Sequence, residues 1–192
     1  MSEYIKIGLR IMWLTVVVYW SISAIGAKKV KSREPFYSRF LQYWFPLIIA
    51  ALLLGPGEWF GHSLLRDNFV PHSDLVGITG LAVCFAGLCI ACRAKYLLGK
   101  NWSVSVQKKE DHELIRHGIY AIVRHPIYTG LLLLFTGNAL IVGDYRAIIA
   151  VLIVFFSFWF KLLKEEKLLT EVFGEAYTGY KHHTKALIPF IL

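Results

Sequence analysis

Charged residues are scarce in this chain. They make up 18% of its 192 residues, whereas soluble globular domains carry about a quarter. Hydrophobic residues make up 56% of the sequence, and the mean hydropathy is +0.53. So much apolar surface exceeds what one water-soluble core can bury, which excludes an ordinary soluble domain and indicates an integral membrane protein.

Cysteine is also rare, since the chain has only Cys84, Cys89 and Cys92, all in one apolar segment. Cys89 and Cys92 have the spacing of half a zinc site. No second pair accompanies them, so we interpret them as buried, unreactive thiols. The sequence also lacks a βαβ pattern with a glycine-rich turn, which argues against a Rossmann-type nucleotide domain. It shows no cleavable signal peptide, because the first apolar run is too long and no A-x-A site follows it.

The basic excess does not predict a nucleic-acid partner. The net charge is +8, but the lysines and arginines gather at the ends of apolar runs and form no continuous stripe or known nucleic-acid motif. This distribution fits contact with anionic membrane lipids. Nothing in the sequence indicates an oligomeric state.

Five apolar segments predict the fold, an all-α polytopic membrane bundle with about five transmembrane helices. The whole chain, residues 1–192, is expected to form a single domain. In this domain residues 1–94 act mainly as a helical scaffold and residues 95–192 form the cofactor and catalytic region. The predicted spans are residues 7–26, 40–56, 75–92, 127–143 and 147–163.

The charge of the loops predicts the orientation. Seventeen of the 21 Lys and Arg residues lie in the segments 28–39, 93–124 and 161–185. Alternation through five spans places these segments on one side of the membrane, which the positive-inside rule makes cytoplasmic. The N-terminus is then outside, and the C-terminus and any site built from these segments are cytoplasmic.

The stretch GIYAIVRHPIYTG, residues 118–130, joins the long cytoplasmic segment to the fourth span. Pro126 suits the first turn of a helix, so His125 is expected at the helix entrance, where backbone N–H groups lack partners. An interfacial anchor is the simpler interpretation of Arg124 and Tyr128 taken alone. His112, His117 and His125 match no standard pattern of metal ligands, and we predict no metal site.

A third polar cluster, KLLKEEKLLTEVFGEAYTGY, follows the fifth span at residues 161–180. Its apolar residues recur at helical spacing up to Gly174, which predicts a helix that stops there. Lys161 and Glu165 lie four residues apart, hence on one face. They are either an ordinary surface pair or a cation and a carboxylate placed to serve two oppositely charged ligands.

These motifs together resemble one known family. HELIRHGIYAIVRHPIYTG, then the pair EE, then FGEAYTGY occur in this order over roughly residues 95–192. The combination is similar to the isoprenylcysteine carboxyl methyltransferase family. The resemblance implies a membrane enzyme that takes a methyl group from S-adenosyl-L-methionine, bound in a pocket of membrane helices and cytoplasmic tail. It also implies a lipophilic small-molecule or prenylated substrate.

The resemblance also assigns roles to residues. The family usually has arginine, facing the substrate carboxylate, at the position of Lys161. Lysine keeps the charge but loses the bidentate fork. We hypothesise that Lys161, with Arg124, positions the acceptor carboxylate, and that Tyr120 and Tyr128 offer aromatic faces to the sulfonium. The cofactor-binding residues implied by matched position are Gln107, His112, Glu113, Leu114, Ile115, Tyr120, His125, Pro126, Ile127, Tyr128 and Glu165.

The implied reaction is methyl-esterification of a carboxylate. A carboxylate is ionised near neutral pH, so the site needs alignment and exclusion of water more than a strong base. Methylation of an amine, such as a phospholipid headgroup, is an alternative in which His125 or His117 acts as the base. A non-catalytic membrane scaffold and a membrane reductase that shares these motifs are further alternatives.

Overall fold

The chain folds into a bundle of apolar helices. A computed structural model describes residues 2–24, 35–99 and 113–191. Within these ranges there is no β-strand, and the predicted all-α membrane bundle is confirmed. Four helices, α1, α2, α3 and α5, are long and apolar enough to cross a membrane. The helices are α1 (Glu3–Ala24), α2 (Phe36–Leu53), α3 (Asp74–Leu98), α4 (Pro126–Val142), α5 (Tyr145–Phe173) and α6 (Glu175–His183).

Helix ends follow the turn chemistry of the sequence. Pro126 lies in the first turn of α4 and His125 is its N-cap, as predicted. Gly143 adopts a left-handed conformation with φ of 79° and ends α4, because glycine pays no Cβ penalty there. Two residues later α5 begins, so α4 and α5 form a tight hairpin.

Helix α5 is longer than the predicted fifth span. It continues without interruption from Tyr145 to Phe173, a length of 29 residues. The predicted stop at Gly174 is confirmed, since this residue has φ of 54° and joins α5 to α6. The first part of α5 is apolar, and its last three turns contain the polar pair Glu165 and Glu166.

Glycine allows α3 and α4 to pack backbone to backbone. A Cβ atom on Gly87 would lie 2.4 Å from the carbonyl oxygen of Gly130, and one on Gly80 would lie 2.7 Å from that of Gly137. Both pairs are seven residues apart along their helices, so they repeat on one face every two turns. Between them the buried Cys84 thiol donates to the Leu134 carbonyl oxygen over 3.3 Å. This close contact fixes α4, the helix that begins at the candidate site.

The opposite end of the bundle is held by a buried arginine. The Arg146 Nε donates to Asp144 Oδ2 over 2.7 Å, and its Nη1 donates to the carbonyl oxygens of Leu53 and Gly55 over 2.9 and 2.6 Å. Arg146 thereby connects the start of α5 with the end of α2. Its charge is neutralised by Asp144, which is also buried.

Helix α2 contains one π-helical turn, Phe40–Trp44. Pro46 follows this turn and has no N–H to offer the carbonyl of Gln42, which instead accepts a hydrogen bond of 3.1 Å from Ser157 Oγ on α5. Single π turns often occur at functional sites. Here the turn buries Tyr43 against α5.

Candidate active site

The entrance of α4 is bound to the C-terminal tail. The backbone N–H of Arg124 donates to the Lys185 carbonyl oxygen over 2.8 Å, and that of His125 donates to the Ala186 carbonyl oxygen over 2.9 Å. The tail therefore runs parallel to the RHP turn, residues 124–126, and the two segments pair as short parallel strands do. This pairing satisfies backbone N–H groups that would otherwise lack partners at the start of a helix. These contacts bring the segment before α4 and the C-terminal tail together.

Glu166 is the centre of an ionic cluster at this junction. It is 6% exposed. Its Oε1 lies 2.8 Å from Arg124 Nε, and its Oε2 lies 2.8 Å from Lys181 Nζ on α6. The Arg124 guanidinium also donates to the carbonyl oxygens of Lys181 and Thr184. A buried carboxylate needs such cationic partners, and their arrangement joins α4, α5 and α6.

His125 lies between two carboxylates. Its Nδ1 is 3.5 Å from Glu165 Oε2, and its Nε2 is 3.4 Å from Glu166 Oε1. Burial of the ring opposes its charged form, but hydrogen bonds to Glu165 and Glu166 and their negative charges outweigh it, so the pKa of His125 is raised above its usual 6.5. Both neighbours are acceptors, hence both ring nitrogens must carry protons to be satisfied. The geometry favours the imidazolium form.

Tyr128 connects His125 to Glu165 and to α5. Its hydroxyl donates to Glu165 Oε1 over 2.5 Å. Its ring stacks on the His125 ring with 5.6 Å between centroids, and on Phe158 with 5.0 Å. Because the ring is packed on these neighbours, Tyr128 holds the Glu165 carboxylate in one orientation.

Lys161 lies against two tyrosine rings. Its Nζ is 4.9 Å from the centroid of Tyr43 and 5.3 Å from the centroid of Tyr128. These distances are within the range of cation–π attraction. Tyr43 belongs to the π turn of α2, so the ammonium group is positioned by α2, α4 and α5 together.

Three buried tyrosines, Tyr120, Tyr177 and Tyr180, enclose the site. Tyr180 on α6 donates its hydroxyl to the carbonyl oxygen of Tyr120, and the Tyr120 hydroxyl donates to that of Ala94 over 3.3 Å. Burial raises the pKa of Tyr180 to about 12. The hydroxyl of Tyr177 is buried and has no hydrogen-bond partner in the described part of the chain.

These groups surround the polar end of a cavity of about 950 Å³, near the upper end of the range for ligand pockets. The cavity continues between the apolar helices, where α1 and α2 supply much of its wall. The first two helices, expected to act mainly as a scaffold, therefore also line it. Residues on its wall include Trp13, Trp20, Tyr43, Leu47, Leu131, Phe135, Asn138, Tyr177 and Tyr180.

Most of the residues that the sequence singled out line this one cavity. They are Glu113, Leu114, Ile115, Tyr120, Arg124, His125, Ile127, Tyr128, Lys161 and Glu165. Pro126 is buried and does not line it. Gln107 and His112 lie outside the described residues. Arg124 reaches the wall, but its Nε and Nη1 are occupied by Glu166 and the tail, which indicates a positioning role.

Sequence reasoning missed several residues of the site. The sequence analysis quoted Glu166 only as part of the EE motif and assigned it no role. The signal for it was available, since residues 165 and 166 are rotated by about 100° around a helix and must face different partners. Tyr43 and Asn138 had no sequence signal, because each lies in an otherwise ordinary apolar span.

Comparison with known proteins gives consistent results. The family model for phospholipid methyltransferases matches residues 75–176. The protein-S-isoprenylcysteine O-methyltransferase of Mus musculus is 32% identical over 99% of this chain and 67% of its own length. That of Tribolium castaneum is 33% identical over 58% of this chain and 41% of its own length.

A solved structure is also similar. It is described as a eukaryotic intramembrane Ras methyltransferase, an isoprenylcysteine carboxyl methyltransferase. It superposes with a TM-score of 0.61 at 29% identity, over 78% of this chain and 53% of that chain. The present chain thus spans about half of the solved one and between 41 and 67% of the two relatives named above.

Proposed function

The chain belongs to the protein-S-isoprenylcysteine O-methyltransferase family, and on that premise we propose that it methylates the carboxylate of a lipophilic, isoprenylcysteine-like substrate within the membrane. One observation carries the proposal. The Lys161 ammonium lies against the ring of Tyr128 and the Glu165 carboxylate accepts from its hydroxyl, at the polar end of an apolar cavity. Such a site offers a cation to an anionic acceptor and an anion to a cationic methyl donor.

The residues fit S-adenosyl-L-methionine, the methyl donor that methyltransferases generally use. This donor carries a sulfonium, an amino group, a carboxylate and ribose hydroxyls. Glu165 accepts hydrogen bonds from amino or hydroxyl groups. Glu113, Leu114 and Ile115 line the same end and supply walls for the nucleoside. The donor supplies an activated methyl group, and the residues around it hold it in place.

On the acceptor side, Lys161 orients the substrate carboxylate. Tyr43 and Tyr128 fix its Nζ, which reduces the number of orientations that the carboxylate can adopt. The lipid part lies along the apolar walls formed by α1, α2 and α4. Arg124 contributes through Glu166 and the tail, so we assign it a positioning role.

The alternative acceptor is the amine of a phospholipid headgroup, because the matching family model is described as phospholipid methyltransferase. An amine must lose a proton before attack. His125 is poorly suited as its base, because two carboxylates favour its charged form. His117 is exposed and does not line the cavity. These positions favour the carboxylate acceptor, which needs no base.

The decisive experiment supplies labelled S-adenosylmethionine and membrane extracts to the purified protein. We expect a lipid-soluble product that releases its label as methanol in base, which is the behaviour of a methyl ester. Label that resists base would identify an amine product and refute the carboxyl proposal.

Substitution of Lys161 tests the acceptor assignment. Lys161→Ala is expected to raise the KM for the acceptor at least tenfold, because a charge-assisted hydrogen bond contributes about 1.5–3 kcal/mol. The matched control is Lys167→Ala, which removes an exposed lysine from the same helix without touching the cavity. Full turnover by the purified Lys161→Ala variant would remove Lys161 from the mechanism.

A further inference from the structure

A second cavity lies between α2 and α5, beside the candidate active site. It has a volume of about 630 Å³ and is bounded by residues 41–46 of α2 and residues 149–164 of α5. We name it the α2–α5 groove. Tyr43 and Lys161 line both this groove and the larger cavity. These two residues therefore form the partition between the groove and the candidate active site.

The groove is apolar along most of its length and polar at one end. Its apolar wall includes Leu152, Phe156 and Phe160, which are exposed on the surface of α5. At the polar end the Lys164 ammonium donates to Gln42 Oε1. The described residues that line the groove include two lysines and no aspartate or glutamate. The groove therefore suits a ligand with an apolar chain and an anionic head.

The groove is long enough to hold an acyl chain through a whole leaflet. Ile149 precedes Lys164 by fifteen residues on α5, which corresponds to about 22 Å along the helix axis. The hydrocarbon layer of one leaflet is about 15 Å deep, half the thickness of a bilayer core. A chain that starts beside Lys164 thus stays in contact with the groove over the full depth of its leaflet.

The π turn of α2 forms the polar end. Gln42 and Tyr43 are adjacent in this turn, and Gln42 is exposed whereas Tyr43 is buried. The backbone carbonyl of Gln42 accepts from Ser157 on α5, which fixes the residue beside the groove. Its side-chain oxygen accepts from Lys164, so an amide NH2 and an ammonium lie side by side. Phosphate oxygens accept hydrogen bonds from both kinds of donor.

We propose that the α2–α5 groove binds one anionic phospholipid, with its phosphate at Lys164 and Gln42 and one acyl chain along the apolar wall. This site goes beyond the proposed methyl transfer and does not depend on it. The methyl acceptor is a poorer occupant, because it must reach the donor beside Glu165. Glu165 lines the larger cavity and does not line the groove.

The test measures lipid retention by the full-length protein in detergent, using native mass spectrometry. The probes are phosphatidylserine and phosphatidylcholine with the same acyl chains, of which only phosphatidylserine carries a net negative charge. We expect phosphatidylserine to bind about tenfold more tightly, as one charge-assisted contact would give. A photoactivatable phosphatidylserine, with its reactive group in the acyl chain, should crosslink within residues 149–156.

Substitutions locate the headgroup and the chain separately. Lys164→Ala should remove the preference for phosphatidylserine, whereas Lys164→Arg keeps the charge and should retain most of it. The matched control is Lys167→Ala, which removes an exposed lysine about one turn further along α5, outside the groove. Ile153→Trp places a larger side chain in the groove and should abolish the crosslink without changing any charge.

Three results would overturn the site. Equal retention of both lipids would show that the groove does not select an anion. Equal loss of the preference in Lys164→Ala and Lys167→Ala would show only general attraction to a basic surface. Displacement of the photoactivatable lipid by an S-isoprenylcysteine would make the groove part of the acceptor's path. Failure of methyl transfer in the labelling assay would leave the lipid-binding results unchanged, so the two proposals fail separately.

Discussion

Two adjacent glutamates on α5 serve different partners. Glu165 faces the cavity and accepts from Tyr128, whereas Glu166 faces the tail and pairs with Arg124 and Lys181. Their side chains diverge because successive residues of a helix are rotated by about 100°. His125 contacts both carboxylates, so one ring links the cavity-facing Glu165 to the tail-facing Glu166.

The charge of His125 gives a pH prediction. Its pKa is raised in the folded protein, since the bonds to Glu165 and Glu166 outweigh its burial. The folded state then holds the proton more tightly than the unfolded state. The stabilisation that protonated His125 adds to the free energy of unfolding is complete below about pH 6.5. It is lost as the pH rises through the raised pKa of His125.

The measurement is the thermal unfolding temperature across pH for wild type and His125→Gln. The difference between them should shrink as the pH rises above 6.5. His182→Gln removes an exposed histidine on α6 and serves as the control. A difference that is constant with pH would show that His125 is not charged in the folded protein.

Tyr43 gives a second prediction at this scale. Tyr43→Leu removes one of the two rings at Lys161 and should raise the KM for the acceptor roughly fivefold, since a desolvated cation–π contact contributes about 1 kcal/mol or more. Tyr43→Phe keeps the ring and should raise this KM less than Tyr43→Leu does. The KM for S-adenosylmethionine should change in neither variant.

Tyr37→Leu is the matched control for Tyr43→Leu, because Tyr37 lies on the same helix and is exposed. A loss of affinity for both substrates in Tyr43→Leu would indicate general damage to the bundle. An unchanged acceptor KM would exclude Tyr43 from positioning Lys161.

At the scale of elements, the α3–α4 contact fixes where the RHP turn lies. The glycine pairs bring the two backbones together, and the hairpin at Gly143 then sets the position of α5 against α4. Lys161 and Glu165 reach Tyr128 only because α4 and α5 run antiparallel with this offset. The geometry of the site thus depends on small residues far from it.

Gly87→Val tests this dependence. Its Cβ would lie 2.4 Å from the Gly130 carbonyl oxygen, a backbone atom that cannot move aside cheaply. We expect destabilisation by more than about 3 kcal/mol, from overpacking and separation of the helices. The readouts are thermal unfolding and the monodisperse fraction in size-exclusion chromatography.

The control for Gly87→Val is Gly179→Ala on α6, where an added Cβ would meet nothing within 4 Å. Alanine is favoured over glycine in a helix, so this variant should be at least as stable as wild type. Wild-type stability of Gly87→Val would mean that α3 and α4 do not pack as closely as described.

At the scale of the whole molecule, the chain is an integral membrane protein with a polar site at one end of its bundle. Arg124, Lys161 and Lys181 all lie at that end, while Arg146 holds the other. The positive-inside rule predicts that the lysine-rich end faces the cytoplasm. A cytoplasmic site would receive its polar methyl donor from the cytosol and its lipid acceptor from the bilayer.

Labelling of introduced cysteines tests this orientation. In intact cells a membrane-impermeant thiol reagent should label Ser63→Cys but not Lys185→Cys in the tail. Ser63 is exposed at the same end of the bundle as Arg146. After lysis both should be labelled, above the background of the parent protein. The reverse pattern in intact cells would place the site outside.

The sequence alone determined the class of the protein, the approximate helices and ten of the thirty residues that line the cavity. Hydropathy depends only on composition along the chain, and Pro126, Gly143 and Gly174 act locally, so helices and their ends were predictable. The separation of Glu165 from Glu166 and the places of Tyr43, Tyr177 and Asn138 on the cavity wall came only from the tertiary structure. These depend on which helix faces are brought together by packing between segments distant in the chain, and no local pattern encodes that.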